Sequence, residues 1–155
     1  MSLVDAGMIA VHLVFGAIWI GAVAFVALGI LPLARDGEFD RNPLRRVLGR
    51  LLWISRIGAL AMLLSGGYML TARGDYTDAD VLLSTGPGQA VLAMIVLWLA
   101  LIVVLEVSTR RIRSGLDANL VREPARDGLR WFYAATVIGV ALFVDGALLA
   151  VGTVL

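Results

Sequence analysis

The chain has 155 residues, 60% of them hydrophobic and only 16% charged, with a mean hydropathy of +0.91 and a formal net charge of +1. A soluble domain averages about 25% charged and about 45–50% apolar residues, so a soluble globule, a disordered chain and a nucleic-acid-binding module all fit poorly, while the length suits one domain. All 13 basic residues are arginine, there is no cysteine, and there is one histidine, which removes lysine Schiff bases, disulfides, thiolate metal sites and iron–sulfur clusters from consideration.

Charges fall in blocks, and the gaps between them have membrane length. From Ala6 to Ala34 the only ionisable residue is His12, and from Leu51 to Ala72 the only charge is Arg56. From Val81 to Leu105 there is none, with Glu106 following, and from Trp131 to Leu155 there is only Asp145. A hydrocarbon core of about 30 Å takes about 20 helical residues. The windows are apolar all round rather than striped, as lipid-embedded helices are. The expected fold is all-α: one integral-membrane four-helix bundle covering 1–155, with helices at about 6–34, 48–72, 86–109 and 130–155 and arginine-rich loops at 35–47 and 110–129.

Local signals mark the ends of these spans. Pro32 sits near the close of the first helix, and Pro43 opens the approach to the second. Ser84-Thr85-Gly86-Pro87-Gly88 launches the third helix, with Pro87 near its first position. Glu123-Pro124 breaks the loop before the fourth, and a short amphipathic surface helix is expected around Leu116, Leu120 and Val121. Ala17 with Gly21, Ser55 with Ala59, and Ala135 with Gly139 are small pairs four apart that suit close helix contacts.

The two loops at 35–47 and 110–129, with their flanks, carry eleven arginines, whereas the second connection has Arg73 against Asp75, Asp78 and Asp80. The positive-inside rule makes the eleven cytoplasmic and places both termini outside. No basic region precedes the first helix, so it does not read as a cleavable signal peptide.

Ionisable groups inside a bilayer are costly and need a partner or a role. At about 1.5 Å per residue, His12 and Asp145 both fall in the outer half, and Arg56 and Glu106 both fall near the cytoplasmic boundary. Depth therefore matches His12 with Asp145, and Arg56 with Glu106 as a structural ion pair, although helix rotation leaves both pairings open. Met8 and His12 share a helix face, continued inward by Phe15, Gly16 and Trp19. Met62 and Met69 lie seven apart on the second helix around Ser65 and Gly66, and Met94 lies at similar depth on the third, one turn before Trp98. Imidazole with thioethers suits a soft cation such as Cu(I), while methionine is also a common core filler. A serine hydrolase would need His12 and Asp145 with Ser65 or Thr136, and no Gly-x-Ser-x-Gly elbow accompanies them. One histidine rules out bis-histidine haem within one chain, leaving haem held by His12 alone or with a methionine.

The stretch Val11-His12-Leu13-Val14-Phe15-Gly16-Ala17-Ile18-Trp19-Ile20-Gly21, closing at Leu31-Pro32-Leu33, resembles the opening of the CopD-like copper-resistance membrane domain. Arg56 before an apolar run into Ser65-Gly66-Gly67-Tyr68 is similar to that family's next helix, and the run from Gly88 to Leu105 followed by Thr109-Arg110-Arg111 is similar to the helix after it. The chain would match only the four-helix core of longer members, and Met94 stands where such proteins often carry lysine. The resemblance implies a small plasma-membrane protein of prokaryotic type that binds or transfers copper, or another soft cation, from the outer side. It marks His12, Met8, Met69, Met94 and Asp145 as ligands and implies an extracytoplasmic copper-carrying partner. A fainter resemblance is to HemJ-type four-helix membrane proteins, which rely on an intramembrane lysine that this chain lacks. It leaves a haem- or quinone-associated redox protein as the alternative, with His12 as axial ligand and Trp19 lining the pocket. A structural or assembly subunit without its own site is the third reading. None of the three requires enzymatic activity, and the narrow path within four helices suits a homo-oligomer.

Overall fold

A computed structural model describes residues 2–73 and 78–152. In it the apolar runs form four helical spans long and apolar enough to cross a membrane, Leu3–Asp36, Arg41–Ala72, Gly86–Asp117 and Arg122–Val151. No strand occurs among the described residues.

The first span is made of α1 (Leu3–Phe25), a π-helical turn (Val26–Ile30) and α2 (Leu31–Asp36). The Ser2 hydroxyl accepts from the Asp5 amide at 3.1 Å and the Asp5 carboxylate from the Ser2 amide at 2.7 Å, a reciprocal cap on two otherwise orphan donors. The π turn lies directly before Pro32, which has no amide proton and whose ring crowds the carbonyl four residues back; widening the turn absorbs that defect without breaking the span. Gly37 then stops α2 in the left-handed region (φ 85°). The space a side chain would occupy there is filled by the Arg122 guanidinium.

The next helix is α3 (Arg41–Arg73), and the short α4 (Ala79–Ser84) follows. Thr85 caps α5 (Gly86–Asp117) by accepting from the Gly88 amide at 3.1 Å, with Pro87 in the first turn. A Cβ on Gly88 would overlap the Val81 carbonyl and the Leu82 backbone, so only glycine lets α4 fold onto the head of α5. The final helix is α6 (Arg122–Val151).

The expected loops are shorter than the charge pattern suggested. Instead of 35–47, only 37–40 separate α2 from α3, and instead of 110–129, only 118–121 separate α5 from α6. The expected surface helix around Leu116, Leu120 and Val121 is absent: Leu116 belongs to the end of α5 and is fully buried, and Leu120 lies in the turn. The physical reason is that arginine is a good helix former, so the helices run past the apolar segment. At 33 residues α3 is about 50 Å long, well beyond a hydrocarbon core of about 30 Å.

The helices pack in the cycle α1–α3–α5–α6, with α2 against α6. Arg45–Asp117 (2.8 Å) and Arg41–Asn119 (2.6 Å) tie α3 to the α5–α6 turn. The core is tightest at this arginine-rich end, where Leu31, Leu44, Leu48, Leu105, Ile112, Leu116 and Phe132 are essentially inaccessible. Toward the other end the interior loosens. No residue of α1 before Gly16, none of α6 after Leu142 and none of α5 between 92 and 100 is buried. Large apolar side chains such as Ile18, Leu60, Val103 and Val137 face outward from all four spans. That surface is too extensive for a soluble bundle and suits lipid.

The small pairs behave differently from one another. Ser55, Ala59, Ala135 and Gly139 are buried contacts, whereas Ala17 and Gly21 lie exposed. A Cβ on Gly139 would stand 2.8 Å from Ile20 Cγ2, and one on Gly21 would meet nothing. Gly139→Val is therefore expected to cost about 1–3 kcal/mol through overpacking of α1 on α6, and Gly21→Val to stay within about 0.5 kcal/mol of the parent. Unfolding in mixed detergent micelles measures both.

Candidate functional site: the seam between α1 and α3

Four contacts zip α1 onto α3. At the N-terminal end of α1 the Tyr68 hydroxyl donates to Asp5 Oδ1 at 3.0 Å. Further in, His12 Nδ1 lies 2.8 Å from Ser65 Oγ. A turn beyond, Met62 lies against Gly16, its Sδ 3.3 Å from where a Cβ would be. Trp19 closes the series, 1% exposed, with its indole donating to Ser55 Oγ at 2.7 Å and its side chain resting on Gly58.

The His12 contact has a defined direction. Ser65 has one hydroxyl proton, and its oxygen lies 2.6 Å from the Ala61 carbonyl, which can only accept. With that proton committed to Ala61, the Ser65 oxygen must accept from His12, so Nδ1 carries the ring proton. In the neutral ring Nε2 then keeps its lone pair, and it has no hydrogen-bond partner among the described residues. Gly66 supports the same arrangement: a Cβ there would stand 3.3 Å from His12 Cε1, so the absence of a side chain is what lets the imidazole approach α3 closely.

This order of donation is the reverse of what a hydrolase needs, since His12 donates to Ser65 instead of taking its proton. Thr136 likewise gives its hydroxyl proton to the Phe132 carbonyl at 2.9 Å.

The sequence candidates divide between two seams. Met8 is one turn outward of His12 on α1, and Met69 one turn outward of Ser65 on α3; both are half-buried. The antiparallel register fixed by His12–Ser65 and Gly16–Met62 makes Met8 level with Met69. A thioether layer thus lies on each side of the imidazole, Met8 and Met69 outward and Met62 inward. Met62 was not among the residues expected as ligands, although its seven-residue spacing from Met69 across Ser65-Gly66 carried the signal.

Met94 belongs to the α5–α6 seam instead, and Asp145 stands on α6. The Met94 methyl packs over Gly146, 3.7 Å from a notional Cβ. Asp145 does not bond His12, despite the depth match, because the His12 face of α1 is turned toward α3. Asp145 Oδ2 and Trp98 Nε1 are both buried without hydrogen-bond partners. Trp19, expected to line a haem pocket, is a fully packed core residue with its polar atom already used. Among the described residues no group of three or more histidine, cysteine or acidic side chains gathers where it could hold a metal. Any metal here would depend on His12 with thioethers.

At the arginine-rich end, Arg56 Nη2 lies 2.8 Å from Glu106 Oε1, an oxygen shared with Arg110 at 2.7 Å. The Arg56 side chain is 54% exposed, so solvent and headgroups discount the pair.

No protein-family model matches the chain, and neither the curated proteins nor the solved structures contain a match.

Two stability measurements follow from these contacts. Ser55→Ala, which strands the Trp19 N–H in the core, is expected to cost about 1–3 kcal/mol. A double-mutant cycle on Arg56→Ala and Glu106→Ala is expected to give a coupling of only about 0.2–1 kcal/mol, read as shifts in the detergent unfolding midpoint.

Proposed function

We propose that this multi-pass membrane protein binds or transfers copper, or another soft cation, from the side on which α1 begins, with His12 Nε2 as the principal ligand. One observation carries the reading: Ser65, itself committed to Ala61, holds the Nδ1 proton of His12 and leaves Nε2 as a lone pair in the bundle's loosely packed half. A hydrogen bond to the other ring nitrogen, fixing tautomer and ring orientation, is the usual support for a metal-binding histidine.

The donor chemistry fits. One neutral imidazole and thioethers are soft to borderline ligands and suit Cu(I) better than Zn(II) or Mg(II). They add no charge to a low-dielectric interior that would have to be paired. Met8 and Met69 stand on the approach side of His12, and Met62 stands beyond it. Successive thioether layers would let a cation move from one weak site to the next. Met94 packs in the neighbouring α5–α6 seam and Asp145 stands on α6, so they could take part only if the cation crosses the bundle interior. The CopD-like resemblance of the α1 segment points to the same cargo, and eleven arginines at the opposite end support placing the cation's approach, and both termini, outside a plasma membrane.

The same hydrogen bond would equally orient an axial haem ligand, which makes haem the competing reading. It is separable by colour.

Titration of the purified protein with Cu(I) under a competing chelator tests the proposal. His12→Ala is expected to abolish binding, and Ser65→Ala to weaken it about 10–100-fold. Unchanged affinity in His12→Ala would remove His12 from the site. A Soret band in protein isolated from its own membrane would replace copper by haem.

A further inference from the structure

At the arginine-rich end, far from His12, α3 and α5 border an open cleft of about 380 Å³. Arg46, Arg50 and Arg56 from α3 and Arg113 from α5 line it, and Gly49 and Trp53 complete its wall. No acidic residue lines it. Arg46, Arg50 and Arg113 form no ion pair among the described residues, and Arg56 has only a share of Glu106, whose Oε1 also serves Arg110. Four guanidiniums around a space with one divided carboxylate to offset them leave a surplus of positive charge and unused planar donors. Guanidinium forks match phosphate oxygens in charge and geometry.

The surroundings distinguish a lipid from a free anion. Trp53, at the rim, is 66% exposed, as suits an aromatic ring at the membrane interface. From it an apolar strip continues along α3 through Ile57 and Leu60, at the helical spacing of one face, and Val103 and Val107 are exposed on α5. All four are exposed, so apolar surface continues beyond the cleft. A Cβ on Gly49 would meet nothing within 4 Å, so the space beside it is open.

We propose that this cleft is a binding site for an anionic phospholipid, its headgroup phosphate held by Arg46, Arg50 and Arg113 and its chains lying on the Ile57–Leu60 track. The site is independent of the cation reading and survives if that reading fails.

The test places the protein in phosphatidylcholine nanodiscs and titrates in acyl-brominated phosphatidylglycerol or acyl-brominated phosphatidylcholine. Quenching of Trp53 is taken as the difference between the parent protein and Trp53→Phe. Brominated phosphatidylglycerol is expected to quench at a lower mole fraction, by about fivefold for each arginine engaged. Arg50→Gln combined with Arg113→Gln should abolish the preference. Gly49→Leu should reduce it without altering charge, since the open space accepts the new side chain and the cleft is filled. Inorganic phosphate at excess should leave the quenching in place. Equal quenching by the two lipids, or a preference that persists in the double arginine variant, would overturn the proposal. A preference unchanged in Gly49→Leu would reduce the cleft to diffuse charge attraction, and displacement by inorganic phosphate would make it a free-anion site. Either result also contradicts the lipid assignment.

Discussion

A polar side chain in hydrocarbon has to find its partner inside the protein, and the α1–α3 seam is organised by that constraint. Trp19 brings an indole N–H into the core, and Ser55 accepts it. Ser65 gives its own proton to the Ala61 carbonyl, leaving its oxygen to receive the Nδ1–H of His12. Asp5 and Tyr68 satisfy one another at the N-terminal end of α1. Each contact fixes both the register and the rotation of α1 against α3, and together they place Met62, Gly16 and Gly66. The free Nε2 of His12 is therefore a consequence of how the serine is satisfied.

The bundle is asymmetric along its axis. At the arginine-rich end, leucines, Ile112 and Phe132 close the interior, and the Arg45–Asp117 ion pair and the Arg41–Asn119 hydrogen bond tie α3 to the end of α5 and the turn after it. In the opposite half, Ser65 is a buried polar exception in a layer of half-buried side chains that includes His12, the methionines, Trp98 and Asp145. A closed half holds the helices at fixed spacing, and the looser half is where the proposed cation site lies, a division of labour that suits a membrane binding site. The unpartnered Asp145 Oδ2 and Trp98 Nε1 sit in this looser half as well.

Depth was legible in the sequence, and rotation was not. The charge gaps located four spans because hydrocarbon excludes charge, and the Arg56–Glu106 contact follows from matched depth on adjacent helices. The same depth argument matched His12 with Asp145, yet His12 faces α3. Nothing in an apolar sequence that is hydrophobic all round shows which face of α1 meets which neighbour. Helix ends were misjudged for a related reason. Charge marks where the membrane ends, whereas arginine-rich segments continue the helix, so α5 and α6 extend until the turn at 118–121. The π turn before Pro32 could have been anticipated from the proline alone. The pairing of Ser65 with His12 had a fainter signal, a polar residue beside two glycines in the middle of an apolar run.

Because the chain has a single histidine, ¹⁵N-histidine labelling yields one pair of ring-nitrogen resonances, both from His12. Solid-state NMR of the protein in lipid bilayers at neutral pH measures the tautomer directly. The Ser65 hydrogen bond predicts a protonated, pyrrole-type Nδ1 and an unprotonated, pyridine-type Nε2, with that preference lost in Ser65→Ala. A pyrrole-type Nε2 in the parent protein would contradict the account, because the lone pair assigned to the ligand would then be facing Ser65.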